Sequence, residues 1–108
     1  MALPEKTFQA DQFGLPGYVI DGLKALLEKF PEIEQATVYG SRAKGNYRHN
    51  SDIDLMLTAP TLSWHRFNSL ELEIDELLLP WKVDLALEHQ VENRDLLEHV
   101  ARVGVPML

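Results

Sequence analysis

Cysteine is absent from this 108-residue chain, which removes a disulfide framework, a thiol nucleophile and any cysteine-ligated zinc or iron–sulfur site. Histidine is scarce: there are four, and no two stand at the H-x-x-H or H-x-x-x-H spacing of a histidine metal site. Long apolar runs are missing. The longest cluster, Leu77 to Trp81, falls far short of the ~20 residues a membrane span needs. The opening Met-Ala-Leu-Pro-Glu-Lys shows no basic segment followed by an apolar one, so a cytoplasmic protein with no membrane contact is expected. Positive charge is also in short supply. Ten basic against seventeen acidic residues give a net charge of −7, which argues against a surface built for duplex nucleic acid. Repeats, low-complexity tracts and linkers are absent too.

What remains is a single domain, 1–108, with 45% hydrophobic residues. A chain of this size folds around one core and buries roughly two-thirds of its unfolded surface. Its charge is uneven. Arg42, Lys44, Arg48 and His49 form a basic island suited to a small anion such as a phosphate, while Glu71, Glu73, Asp75 and Glu76 crowd a later segment. That acidic segment reads as a solvated helix face, with a docking surface for a basic partner as the alternative.

Residues 1–15 lack periodicity and are expected to form an extended or loosely packed lead-in. After Pro16, Val19, Leu23, Leu26, Leu27 and Phe30 mark one face of a helix that Pro31 ends. Ala36 to Tyr39 is a short strand stopped by Gly40, and 40–51 is turn-rich. Ile53 to Thr58 is a second strand. Phe67, Leu70, Ile74, Leu77 and Leu78 repeat at helical spacing up to Pro80. Lys82 to Leu87 alternates as a third strand. Leu96, Leu97, Val100 and Val103 mark a last short helix, with Gly104 and Pro106 as stop signals. The order predicts an α/β (α+β) domain whose small sheet is covered on one face.

Strand alternation then sorts the acidic residues. Asp52 and Asp54 share one face of the second strand, opposite Ile53, Leu55 and Leu57. In the third strand Asp84 lies opposite Val83, Leu85 and Leu87. If both apolar sets face the helices, the three carboxylates emerge together. Such a cluster repels itself unless cations sit within it, and Mg²⁺ prefers oxygen ligands completed by substrate phosphates. Glu88 shares the parity of Asp84 and is the alternative third ligand. Taken singly, an aspartate on a wet strand face is ordinary, although aspartate is depleted inside strands.

Just upstream, Gly40-Ser41-Arg42-Ala43-Lys44-Gly45 follows a strand. Its glycines allow backbone amides to approach a ligand, Ser41 adds a hydroxyl, and Arg42, Lys44 and Arg48 add charge. It is neither a Walker A loop nor G-x-G-x-x-G, and alone it reads as a hairpin loop. The combination is more specific. Gly40-Ser41, ten residues, then Asp52-Ile53-Asp54-Leu55, with Val38-Tyr39 before and Ser51 between, resembles the signature of the nucleotidyltransferase superfamily that includes DNA polymerase β.

That resemblance implies a nucleotidyltransferase fold, a small mixed β-sheet with helices packed on one face. It also implies ATP as nucleotide donor, two Mg²⁺ ions held by Asp52, Asp54 and Asp84, and a triphosphate held by Gly40, Ser41 and Arg42. Asp84 is the group that takes or directs the proton of the acceptor hydroxyl. The chain's brevity is similar to that of the minimal nucleotidyltransferase (MNT) group, whose partner is a helical HEPN protein encoded nearby. In such toxin–antitoxin pairs the MNT protein moves AMP to a tyrosine of the HEPN toxin. The resemblance leaves two other roles to be tested: a non-catalytic subunit that neutralises a HEPN protein by occlusion, and a polymerase or tailing enzyme. Homodimer and hetero-oligomer both stay open. Trp64 and Trp81 read as core or interface residues, His49 as a loop residue, and His65, His89 and His99 as residues without catalytic partners.

Overall fold

Pro16 fixes the entry to the first helix, α1 (Gly17–Glu28), and its preset φ suits that place. Val19, Ile20, Leu23, Leu26 and Leu27 are buried along one face, as the periodicity predicts. The chain then leaves through Phe30 and Pro31 into β1 (Gln35–Tyr39), where Ala36 and Val38 point inward. The computed structural model describes residues 12–108. The lead-in expected over 1–15 lies outside these up to residue 11; 12–14 form a 3-10 turn, and Leu15 is buried in the core.

Next come a short helix α2 (Gly40–Lys44), β2 (Ile53–Thr58), α3 (Trp64–Glu76) and β3 (Val83–Leu87). A 3-10 turn at Glu88–Gln90, α4 (Arg94–Val103) and a two-residue strand β4 (Val105–Pro106) complete the chain. Side-chain caps fix two of the helix starts. Ser63 Oγ accepts from Arg66 N at 3.1 Å, and Asn93 Oδ1 accepts from Asp95 N and Leu96 N at 2.9 and 3.2 Å.

The sheet order is β3-β2-β1-β4. β1 pairs antiparallel with β2 and β4, while β2 and β3 run parallel, joined by α3 as a crossover. The fold is therefore the expected α+β domain with a mixed sheet. Ala36, Val38, Ile53, Leu55 and Leu57 pack with α1 and with Phe67, Leu70 and Ile74 of α3 in one core.

Three local expectations change. β4 was read as a stop signal; instead the chain turns at Gly104 and pairs with β1, and Met107 N donates to Ala36 O at 2.7 Å. α3 ends at Glu76, so Leu77 and Leu78 leave its apolar face, and Leu78 is 86% exposed at φ 53. Finally, α4 does not join α1 and α3. It crosses the opposite face of the sheet, where Leu97 and Val100 line a cleft with Thr37 and Met56, and Gly104 sits against Thr37.

Candidate active site

Register brings the aspartates together. Asp54 of β2 is paired across the sheet with Tyr39 of β1 on one side and Asp84 of β3 on the other. The three side chains thus form a row on the face away from the core. Neighbouring strands are ~4.8 Å apart, so the two carboxylates feel each other directly. Asp54 is half-buried, and Asp52 is exposed just ahead of β2. Burial pushes the Asp54 carboxyl above its ordinary value, and the charges of Asp84 and Asp52 push the same way, against smaller opposing effects of His99 and Lys82. Tyr39 is raised too, by burial and then by Asp54 and Asp84. Lys82 Nζ stands 3.3 Å from Asp84 Oδ1, an exposed pair.

Glu88, the alternative third ligand, lies four residues beyond Asp84, roughly 13 Å further along the strand direction. It lines the cleft with Gln35 and Thr58 at the other end of the sheet. Asp84 is the carboxylate beside Asp54.

The turn after β1 closes onto this row. Gly40 has φ +72, and a Cβ built there would lie 2.5 Å from Asp54 Oδ2, so any side chain there would be strained and would displace the Asp54 carboxylate. Residues 40–44, expected as loop, form the single helical turn α2, because Arg-Ala-Lys favours helix and Gly45 at φ +89 caps its end. Gly45 therefore terminates a helix and brings no amide to a ligand; its N–H donates to Ser41 O at 2.9 Å.

Arg42 corrects another expectation. It is 2% exposed, and its guanidinium is committed to main-chain carbonyls. Nε donates to Ser51 O at 3.0 Å, Nη2 to Ser51 O at 2.8 Å and His49 O at 3.3 Å, and Nη1 to Phe13 O at 2.9 Å and Gly14 O at 3.5 Å. All of its N–H donors are taken, so none is left for a phosphate. Arg42 staples the 46–51 loop to residues 13 and 14. Tyr47 and Trp81 flank the cation at 5.2 and 5.8 Å, and Trp81 Nε1 donates to His49 O at 2.8 Å. Trp81 is thus part of the staple, and Trp64, 61% exposed, packs edge-on against Phe67. Lys44, at the end of α2, and Arg48, in the loop that follows, are exposed charges.

One residue was passed over in the sequence. His99 of α4 places its ring edge-on to Tyr39, centroids 6.1 Å apart, and Nε2 accepts from Gly40 N at 3.2 Å. No spacing signals this, since 59 residues separate the two.

Asp54 and Asp84, with Asp52 at the mouth, offer an all-oxygen donor set under mutual repulsion, which fits Mg²⁺. Among the described residues no three His, Asp or Glu side chains close into a ready cage. A partial set is what this ion uses, since waters and substrate phosphates supply its remaining ligands.

Comparisons with known proteins agree with this geometry. Residues 21–108 match the family model described as polymerase beta, nucleotidyltransferase. A solved toxin–antitoxin structure with AMP-PNP superposes at TM-score 0.67 and 24% identity, covering 82% of this chain and 72% of that one. A mutant of the MntA–HpeT toxin–antitoxin pair carrying two Asp-to-Glu changes gives 0.66 and 22%, with the same coverage. A Tyr-to-Ala mutant of that pair gives 0.62 and 24%, covering 80% and 68%. No curated protein matches by sequence. These identities speak for the fold, and the family match extends over most of the chain. With the Gly-Ser turn folded onto a carboxylate row on its sheet, the chain belongs to the polymerase beta nucleotidyltransferase family.

Proposed function

We propose that this chain is an Mg²⁺-dependent nucleotidyltransferase that moves AMP from ATP to a hydroxyl acceptor, a tyrosine of a helical HEPN-type toxin, and so acts as the antitoxin of a toxin–antitoxin pair. The observation that carries the reading is the Asp54–Asp84 register, with Gly40 closed down on Asp54. A half-buried carboxylate, Asp54, held beside a second one, Asp84, costs the sheet face stability, and a phosphoryl-transfer site has a use for that pair. The solved neighbours, one a toxin–antitoxin structure with AMP-PNP, favour this branch of the family.

In this reading Asp52 and Asp54 would hold both Mg²⁺ ions, and Asp84 would complete the set on the acceptor side. Bound there, the metal supplies positive charge to the transferring phosphoryl group and the leaving oxygens. Gly40 N–H and Ser41 Oγ hold the outer phosphates. The acceptor oxygen bonds to the α-phosphorus, the bond to the α–β bridging oxygen breaks, and pyrophosphate leaves. Asp84 receives or directs the hydroxyl proton. Arg42 acts indirectly, by fixing the loop that leads into Asp52.

The test is the intact mass of the partner protein after incubation with this chain, ATP and Mg²⁺, alongside an Asp52→Asn/Asp54→Asn variant. Added AMP mass with wild type alone is expected. No added mass with wild type, while a stable complex still forms, would overturn transfer in favour of occlusion.

A further inference from the structure

His99 stands apart from the other histidines. His49, His65 and His89 are exposed, whereas His99 is half-buried against Tyr39 and bonded to the Gly40 amide. An Nε2 that accepts carries no proton, so the neutral ring keeps its proton on Nδ1. The Gly40 N–H is the donor that the nucleotidyltransferase reading gives to phosphate. It is locked in place by φ +72 and by the Asp54 carboxylate packed where a side chain would start.

The Gly40 N–H is part-buried, and a main-chain donor shielded in this way is held by an acceptor. Here the acceptor is a neutral ring nitrogen, which a charged phosphate oxygen outcompetes. The ring is also carried on a helix with no fully buried residue, so it can yield without opening the core. We propose that His99 is a stand-in for phosphate: it holds the Gly40 N–H in the nucleotide-free protein, and a phosphate oxygen of the bound nucleotide takes that bond from it. His99 then sets nucleotide affinity by competing for a donor whose position Gly40 and Asp54 already fix. The inference rests on the nucleotide reading above and adds to it a named competitor for one donor.

The test compares AMP-PNP binding in the presence of Mg²⁺ by calorimetry for wild type, His99→Ala and His99→Gln. Losing one neutral hydrogen-bond competitor should make His99→Ala bind about fivefold tighter. Glutamine keeps an acceptor oxygen, so His99→Gln should stay near wild type. Unchanged or weaker binding in His99→Ala overturns the inference, as does equal tightening in both variants. A measurement on wild type needs no variant to fold: the Nε2 nitrogen resonance should move to its unbonded position as AMP-PNP saturates, while the Gly40 amide stays bonded. A stationary Nε2 with a shifted Gly40 amide overturns the competition and leaves the nucleotide site standing. No binding by any of the three proteins overturns both.

Discussion

The Asp54 carboxylate occupies the place where a side chain at Gly40 would begin, 2.5 Å from a Cβ built there. Backbone turn and metal-ligand candidate are thus fitted to each other, and the first prediction follows. Gly40→Ala must relieve a clash and also adopt a left-handed φ, a conformation that costs about 1–2 kcal/mol outside glycine. Its melting midpoint should fall accordingly, and AMP transfer should drop steeply because Asp54 is displaced. Wild-type stability and activity together in Gly40→Ala would show that the contact is slack.

Asp84 and Glu88 separate cleanly by position. Asp84→Asn should lose AMP transfer by about a thousandfold, the scale of several kcal/mol of charge stabilisation. Glu88→Gln, at the far end of the sheet, should transfer normally. Rates from partner mass against time decide it, and the reverse pattern would move the third ligand to Glu88.

The raised Asp54 carboxyl has a signed consequence for stability. Between its unfolded and folded values the native state binds more protons than the unfolded one, so stability falls as pH rises through that window. Wild type in EDTA should therefore gain stability on mild acidification, across pH just above the ordinary carboxylate range. Asp54→Asn has no charge there to bury and should be more stable than wild type at neutral pH. The gap should close as pH falls. Denaturant midpoints across pH for the two proteins measure it, and parallel curves would contradict the assignment.

Arg42→Ala leaves the Phe13 and Ser51 carbonyls without their donor, while His49 O keeps Trp81 Nε1, and the loss is about 2–4 kcal/mol in urea unfolding. Arg42→Lys keeps the charge but cannot reach carbonyls on both sides, so it should recover only part of that. If Arg42→Lys melted like wild type yet bound nucleotide weakly, Arg42 would be a phosphate ligand after all.

Most of the fold was legible because its elements are long and periodic. α1, β2 and β3 fall within a residue or two of their predicted spans, and period-two alternation alone put Asp54 and Asp84 on one face. β4 was not legible: it has two residues, one of them proline, and exists only because β1 offers it an edge. α2 was hidden because five residues give no periodicity. Arg42 looked like a ligand because sequence reports a charge without its surroundings. Its role is fixed by carbonyls of residues 13 and 14, far upstream in the chain. His99 reaches the site only through the crossing of α4 over β1, a relation no local pattern encodes.

The sheet order has a kinetic consequence. β1 and β2 pair antiparallel across residues 40–52, whereas β3 docks in parallel only after the longer connection that carries the α3 crossover. Asp84 meets Asp54 only when the β2–β3 seam closes, and their repulsion is borne there. β3 lies at the margin of the sheet and, with only Leu87 fully buried, is more exposed than β2. Amide protons along this seam should exchange with solvent before those of the β1–β2 pairing, so the half of the site carrying Asp84 opens more often than the half carrying Asp54.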